Sequence, residues 1–294
     1  MISVIGAGAW GSALYSAIKR VEPNALITSR TKRSIPGFVE LKEALKNEYV
    51  LIVIASQAIK GFLKTIDLKN KKILVASKGI DSEKLKFLNE IFEEYVSSDS
   101  LAFISGPSFA KEVKEAKPTA LVIASKNLTL AREFKRFFPP FLKIYIDSDV
   151  EGVEVAGAYK NVIAIASGIC EGLNLGNNAK AALLARGLVE MSRFGEKFNA
   201  KKETFLGVAG AGDLFLTANS TMSRNYRVGL NLAKGMALED ILKTLGEVAE
   251  GVYTTKAIKE LSQMHDIYTP IANEVYKIIY EGKKPLDSLK DLLS

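Results

Sequence analysis

One lysine and one carboxylate carry the proton chemistry open to this sequence. Lys160 stands in Ala158-Tyr159-Lys160-Asn161-Val162, inside a stretch from Val153 to Cys170 where Gly, Ala, Val and Ile lie nearly all round. A helix of that composition is buried on every side. Burying an ammonium without a partner is costly. Desolvation lowers the pKa of an amine, so a lysine held there is expected to exchange protons near neutrality. The structural alternative is a buried stem whose head snorkels to the surface. Asp213 closes the glycine-rich run Gly207 to Asp213, placed to orient or pair with Lys160 or to cap the helix that follows. Lys160 and Asp213 are therefore the catalytic candidates. The single histidine, His265, falls between two helical patterns and reads as a surface loop residue. One histidine, one cysteine (Cys170) and no metal-ligand spacing argue against a zinc site.

Other residues are suited to hold anions. Gly6-Ala7-Gly8-Ala9-Trp10-Gly11 follows the β-prone run Ile2 to Ile5 and precedes a helix-like Ser12 to Arg20. Strand, G-x-G-x-x-G and helix in that order is a dinucleotide-binding signal. Gly6 permits the turn, Gly8 admits a pyrophosphate, and Gly11 lets helix and strand pack. The helix N-terminus offers free N–H groups to the phosphates. An NAD-preferring site carries an acid about 20 residues further on. Here that place reads Thr28-Ser29-Arg30-Thr31-Lys32-Arg33. Cations and hydroxyls there suit a 2′-phosphate, or an adenine stacked on Arg30, so NADP is expected to be tolerated beside NAD. Ala55-Ser56-Gln57, Ser77-Lys78-Gly79 and Ser105 to Ala110 fall at expected strand ends, where ligands of an open parallel sheet gather, and each alone is equally explained by a plain turn. In the second half, Arg224, flanked by Ser223 and Asn225 before a helix starting near Tyr226, could clamp a phosphate. Glu247 and Glu250 could reach a ribose or bind nothing.

The elements that must position these residues change character near residue 150. Before it, apolar runs at Ser3–Ile5, Ala25–Thr28, Tyr49–Ala55, Lys72–Ser77, Leu101–Ser105, Thr119–Ala124 and Lys143–Ile146 alternate with helix-like stretches. Those stretches are Phe38–Lys46, Ile59–Ile66, Ser82–Val96 and Leu128–Phe138. The alternation predicts an α/β, doubly wound parallel sheet of the Rossmann type over 1–149. After it, helical patterns dominate, and an all-α domain over 150–294 is expected to bind substrate and carry the catalytic groups.

Composition narrows the class. A chain of 294 residues suffices for two domains, and 48% hydrophobic with 25% charged residues is an ordinary globular balance. The net charge of +7 favours anionic partners such as phosphorylated metabolites. The basic residues are scattered, not striped along one helix, so no nucleic-acid partner is expected. A lone cysteine excludes an intrachain disulfide and fits a reducing, cytoplasmic setting. No signal peptide is read at the N-terminus, and no run is read as a membrane span.

Together these residues resemble the bacterial-type NAD(P)-dependent glycerol-3-phosphate dehydrogenases. The likeness rests on GAGAWG (Gly6–Gly11), SKG (Ser77–Gly79), SGPSFAKEV (Ser105–Val113), GAYKNVIAI (Gly157–Ile165), GDLFLT (Gly212–Thr217), SRNYRVG (Ser223–Gly229) and EGVYT (Glu250–Thr254). The glycine fingerprint is shared by many dehydrogenases; the other segments, in this order, are far more specific. The resemblance implies reversible reduction of dihydroxyacetone phosphate to sn-glycerol 3-phosphate, for phospholipid synthesis, by a cytoplasmic homodimer. It implies that Lys160 is the proton acceptor and that Gly6, Gly8, Trp10, Gly11, Arg30, Lys78, Ala110, Arg224, Val248 and Glu250 contact the cofactor. Lys78, Gly106, Ser108, Lys160, Asp213, Ser223, Arg224 and Asn225 would form the substrate shell. Two departures stand out: Ala211 where leucine is usual, and Tyr226 where a basic residue is common, leaving one less cation near the phosphate. A β-hydroxy-acid dehydrogenase and a non-catalytic dinucleotide sensor are the rival readings. The Ser-Arg-Asn segment speaks against the first and Lys160 against the second.

Overall fold

The computed structural model describes residues 1–246 and 248–293. Contacts divide the chain into two compact units, Met1–Lys78 with Leu88–Val153, and Gly79–Phe87 with Glu154–Ser294. The segment Gly79–Phe87 thus groups with the helical residues, although it lies within the 1–149 span of the sequence reading.

The strands are β1 (Ile2–Ile5), β2 (Leu26–Thr28), β3 (Tyr49–Ile52), β4 (Lys72–Val75), β5 (Ile80–Asp81), β6 (Lys86–Phe87), β7 (Leu101–Ser105), β8 (Thr119–Ala124) and β9 (Leu142–Asp147). Seven of them form the sheet of the first unit, in the order β2-β1-β3-β4-β7-β8-β9. Every residue of β1, β3 and β7 is buried, as expected of strands covered on both faces. Register brings the carboxyl ends of β1, β2 and β3 level, with Ile5 paired to Thr28 on one side and Ile52 on the other. Loops carrying the candidate residues therefore leave from one edge.

The sheet is not parallel throughout. β7 and β8 pair antiparallel and β9 follows β8 in parallel, so the last two strands run against the other five. Between β7 and β8 lies only the five-residue helix Ala110–Lys114. An antiparallel neighbour can be reached by turning back at the same edge, without a crossover to the far end. A second correction concerns Ser82–Val96, expected as one helix. Asp81 accepts from the Glu83 and Lys84 N–H groups at 3.0 and 2.7 Å, and Leu85 takes a positive φ of 56°. That turn folds 80–87 into the β5–β6 hairpin, and the helix begins only at Leu88. The expected Phe38–Lys46 helix shortens to Leu41–Ala44.

In the second unit the only strands among the described residues are β5 and β6; the rest is helical. The helix Val150–Gly172 carries Lys160. It is long and apolar enough to cross a membrane, but 94% of its apolar window is buried within the protein, as befits a core helix. Two backbone crossings fix the helix Arg224–Ala233 against it. A Cβ on Gly229 would meet the Ile165 carbonyl oxygen at 1.9 Å, and one on Gly168 the Tyr226 carbonyl oxygen at 2.1 Å. Only glycine allows helices this close. A third tie runs through Tyr159, whose hydroxyl donates to Glu190 at 2.8 Å. Glu190 also accepts the Ile271 and Ala272 N–H groups, both at 2.9 Å, and so serves the N-terminus of helix Pro270–Tyr280 from a distance. Burial pushes the Glu190 carboxyl above its usual range, against those three hydrogen bonds.

Candidate active site

In the first unit the glycine turn is built for close approach. Gly6 donates to the Thr28 carbonyl at 2.8 Å, and a Cβ on it would meet the Val53 carbonyl oxygen at 2.0 Å. A Cβ on Gly11 would meet the Gly6 carbonyl oxygen at 1.8 Å. Gly8 differs: an added Cβ finds nothing within 4 Å. It is exposed, and it caps the helix Ala9–Ile18 with no side-chain hydrogen bond. First-turn N–H groups with no capping side chain, beside an open glycine, are what a pyrophosphate needs. The residues fit a dinucleotide. Trp10 is half-buried, and its helix packs along Ala110–Lys114, which begins with Ala110. Arg30 lies exposed on the turn after β2.

The strand-end loops bring Lys78, Gly106 and Ser108 together. The Gly106 carbonyl accepts from the Ser108 hydroxyl at 3.0 Å and, more distantly, from Lys78 Nζ at 3.5 Å. Gly106 has a φ of 134°, and a Cβ there would press on Ala120 and Leu121.

In the second unit Lys160 is buried and paired. Its Nζ donates to Asp213 Oδ1 at 2.6 Å and to Thr217 Oγ1 at 2.8 Å, and Thr217 Oγ1 donates to the same carboxylate oxygen at 3.2 Å. The side chains of Lys160 and Asp213 are only 8% and 2% exposed, so the ammonium does not snorkel. The carboxylate is positioned by local structure. Val208–Gly212, expected as a loop, forms one π-helical turn that runs into the helix Asp213–Ala218. A Cβ on Gly210 would collide with Phe205 at 2.2 Å, so glycine is present for packing more than for looping. Asp213 is the first helical residue, and its side chain turns to Lys160 instead of capping. Thr217 was not singled out from the sequence. The signal was present, since a residue four after Asp213 shares its helix face, but a glycine loop gave no helix on which to count.

Ser223 caps the helix Arg224–Ala233, its hydroxyl accepting from the Tyr226 N–H at 3.2 Å. Asn225 Oδ1 accepts from the Gly251 N–H at 3.0 Å, and a Cβ on Gly251 would also meet the Asn161 carbonyl oxygen at 2.9 Å. Ser223 and Asn225 are thereby held where helices Val150–Gly172, Arg224–Ala233 and Glu250–Met264 meet. Arg224 is exposed in the first turn.

Comparison with known proteins decides what this arrangement belongs to. The family described as "NAD-dependent glycerol-3-phosphate dehydrogenase C-terminus" matches residues 149–290, and the corresponding N-terminus family matches 25–131. Glycerol-3-phosphate dehydrogenase [NAD(P)+] of Campylobacter lari is 58% identical over 294 residues, covering 100% of this chain and 97% of that protein. Its counterpart from Nitratiruptor sp. is 57% identical, covering 99% and 97%. The chain belongs to the NAD-dependent glycerol-3-phosphate dehydrogenase family. The crystal structure of the Coxiella burnetii glycerol-3-phosphate dehydrogenase superposes with a TM-score of 0.93 at 32% identity, covering 100% of this chain and 98% of that one.

Tyr226, read from the sequence as leaving one less cation near the phosphate, has a lysine beside it. The Tyr226 side chain is buried, and Lys180 Nζ donates to its hydroxyl at 3.2 Å while pairing with Glu171 at 3.0 Å. A cation still stands at position 226, supplied from the helix Gly176–Glu196. Val248 is exposed and Glu250 half-buried at the start of helix Glu250–Met264. Glu247 lies outside the described residues. His265 is half-buried at the end of the same helix, edge-on to Phe198.

Proposed function

We propose that this chain reduces dihydroxyacetone phosphate to sn-glycerol 3-phosphate, reversibly, with Lys160 donating the proton to the carbonyl oxygen and recovering it in the reverse direction. The observation that carries this is the buried Lys160–Asp213–Thr217 triangle in a chain of this dehydrogenase family. NADP or NAD, when bound, supplies or accepts the hydride at C2 of the triose. Gly6, Gly8, Gly11 and the first turn of the Ala9–Ile18 helix hold its pyrophosphate, with Trp10, Arg30, Lys78, Ala110, Arg224, Val248 and Glu250 as further contacts. Asp213 and Thr217 fix the amine so that its proton points along one line. Ser223, Arg224 and Asn225 grip the phosphate of the substrate, with Lys78, Gly106 and Ser108 completing its shell. Positioning is most of what the protein contributes. In the reducing direction one proton leaves Lys160 for the alkoxide and one returns to the amine from solvent, so the step balances.

We extend the reading to the setting: a cytoplasmic homodimer whose product enters phospholipid synthesis. The lone cysteine, Cys170, free and buried, suits a reducing compartment. The two-fold assembly rests on family likeness and is checked by light scattering. The activity is tested by the loss of nicotinamide absorbance with dihydroxyacetone phosphate, in parallel with a β-keto acid. Turnover of the triose phosphate alone is expected; turnover of the keto acid alone overturns the assignment.

A further inference from the structure

The helix that carries Lys160 is gripped by polar contacts from two adjacent residues. Lys160 reaches Asp213 and Thr217 on the helix Asp213–Ala218. Tyr159, the residue before it, reaches the helix Gly176–Glu196, its hydroxyl donating to Glu190 Oε1 at 2.8 Å. Neighbours on a helix point about 100° apart, so the two contacts grip different sides of Val150–Gly172. Apolar packing alone sets the rotation of this stretch weakly, because its Gly, Ala, Val and Ile present nearly the same surface all round. The Gly229 and Gly168 crossings hold the helix more than a turn beyond Lys160. The Tyr159 anchor, by contrast, is adjacent and rigid. Tyr159 is fully buried, with its ring 5.1 Å from that of Phe194. One turn along, a Cβ on Gly187 would meet Ile163 Cγ2 at 2.8 Å, so the two helices touch there. Glu190 is fixed in turn, because its carboxylate also accepts the Ile271 and Ala272 N–H groups.

We infer that Tyr159 and Glu190 are positioning residues for Lys160: their hydrogen bond sets the rotation of its helix, and so the line along which the amine meets the substrate carbonyl. This rests on the reading of Lys160 as the proton donor. Both residues act through the helix backbone. A misplacement of about 1 Å, caused far from the chemistry, can cost about 100-fold in rate. A small turn of the helix moves the tip of a lysine side chain further than it moves the backbone.

The test is Tyr159→Phe, which removes one hydroxyl and keeps the ring against Phe194. Its kcat is expected to fall by about tenfold or more, while KM for dihydroxyacetone phosphate and the cofactor dissociation constant stay within about twofold of wild type. The pH profile of kcat is displaced with it, because the amine sits differently against Asp213. Glu190→Gln, which turns an amide donor toward a donor, is expected to move the same quantities in the same direction. Ile241→Ala is the control: a core truncation on the helix Leu238–Leu245, it melts lower and keeps kcat. A kcat of Tyr159→Phe within about twofold of wild type overturns the inference. So does a fall in kcat that Ile241→Ala matches at equal loss of Tm. If the wild type reduces no triose phosphate, the reading of Lys160 as proton donor fails instead. The side-chain NMR resonance of Lys160 in lysine-labelled protein, assigned with Lys160→Met, then decides the positioning role. A resonance displaced in Tyr159→Phe upholds it, and an unmoved one overturns it.

Discussion

Replacing Asp213 by asparagine keeps the shape of the side chain and removes its charge. Lys160 would then be left as a buried ammonium, its carboxylate partner at 2.6 Å gone and its side chain 8% exposed. Removing one member of a buried ion pair costs about 3–5 kcal/mol. For a chain of 294 residues each kcal/mol moves Tm by about 1.5–2 °C, so Asp213→Asn is expected to melt about 5–10 °C lower. Replacing the three polar heads together, as Lys160→Met/Asp213→Leu/Thr217→Val, leaves no orphan. Buried ion pairs exchanged for apolar groups of similar volume are often neutral or stabilising, so the triple variant is expected to recover most of the lost Tm while showing no turnover. The assay is a thermal melt by circular dichroism beside the absorbance assay. A melt of Asp213→Asn within about 2 °C of wild type would show that the pair is not desolvated as described. A triple variant as unstable as the single one would show that the instability does not come from an orphaned charge.

Three further outcomes follow from the geometry. Gly8→Ala should leave Tm unchanged, since its Cβ meets nothing within 4 Å, yet weaken cofactor binding; Gly11→Ala, with its Cβ 1.8 Å from a carbonyl oxygen, should unfold the glycine turn outright. Melts and cofactor titrations of the two variants separate the effects. Lys72, 2.8 Å from Glu133, holds that carboxyl below its ordinary value of 4.5. A depressed carboxyl contributes stability above its unfolded value and loses it as pH falls through the folded one. Glu133→Gln should therefore cost about 0.5–1 kcal/mol at neutral pH, with the gap to wild type closing as pH drops below 4.5, read by urea denaturation across that range. Arg224→Ala should raise KM for dihydroxyacetone phosphate by about tenfold or more in steady-state kinetics, through loss of a charge-assisted grip on the phosphate.

What could be read from the sequence was whatever depended on local pattern. The strand, glycine turn and helix over residues 2–20 declared themselves because strand pattern, glycine spacing and helix pattern follow one another directly, with Gly11 answering a steric demand only five residues away, at the Gly6 carbonyl. Lys160 was conspicuous because a charge amid Gly, Ala, Val and Ile requires a partner, and Asp213 was the carboxylate at hand. What depended on long-range pairing was not legible. The reversal at β8 turns on how the chain returns after Ser105, which periodicity does not encode. The hairpin 80–87 hides in a helix-like pattern, because the Asp81 turn that breaks it costs one side chain and no proline or glycine. Thr217 escaped for a related reason: glycine in 207–212 reads as loop, whereas here it makes room for Phe205 inside a continuous helical path. The cation at Tyr226 comes from Lys180, 46 positions earlier, and only the packing of two helices reveals it.

The proton role of Lys160 is tested most directly by kcat of Lys160→Ala beside its affinity for cofactor. Expected is a loss of about 10²–10⁴-fold in kcat, the range for removing a positioned general acid, with cofactor dissociation constants close to wild type and partial recovery by added methylamine. A variant that keeps kcat within about tenfold of wild type would contradict it.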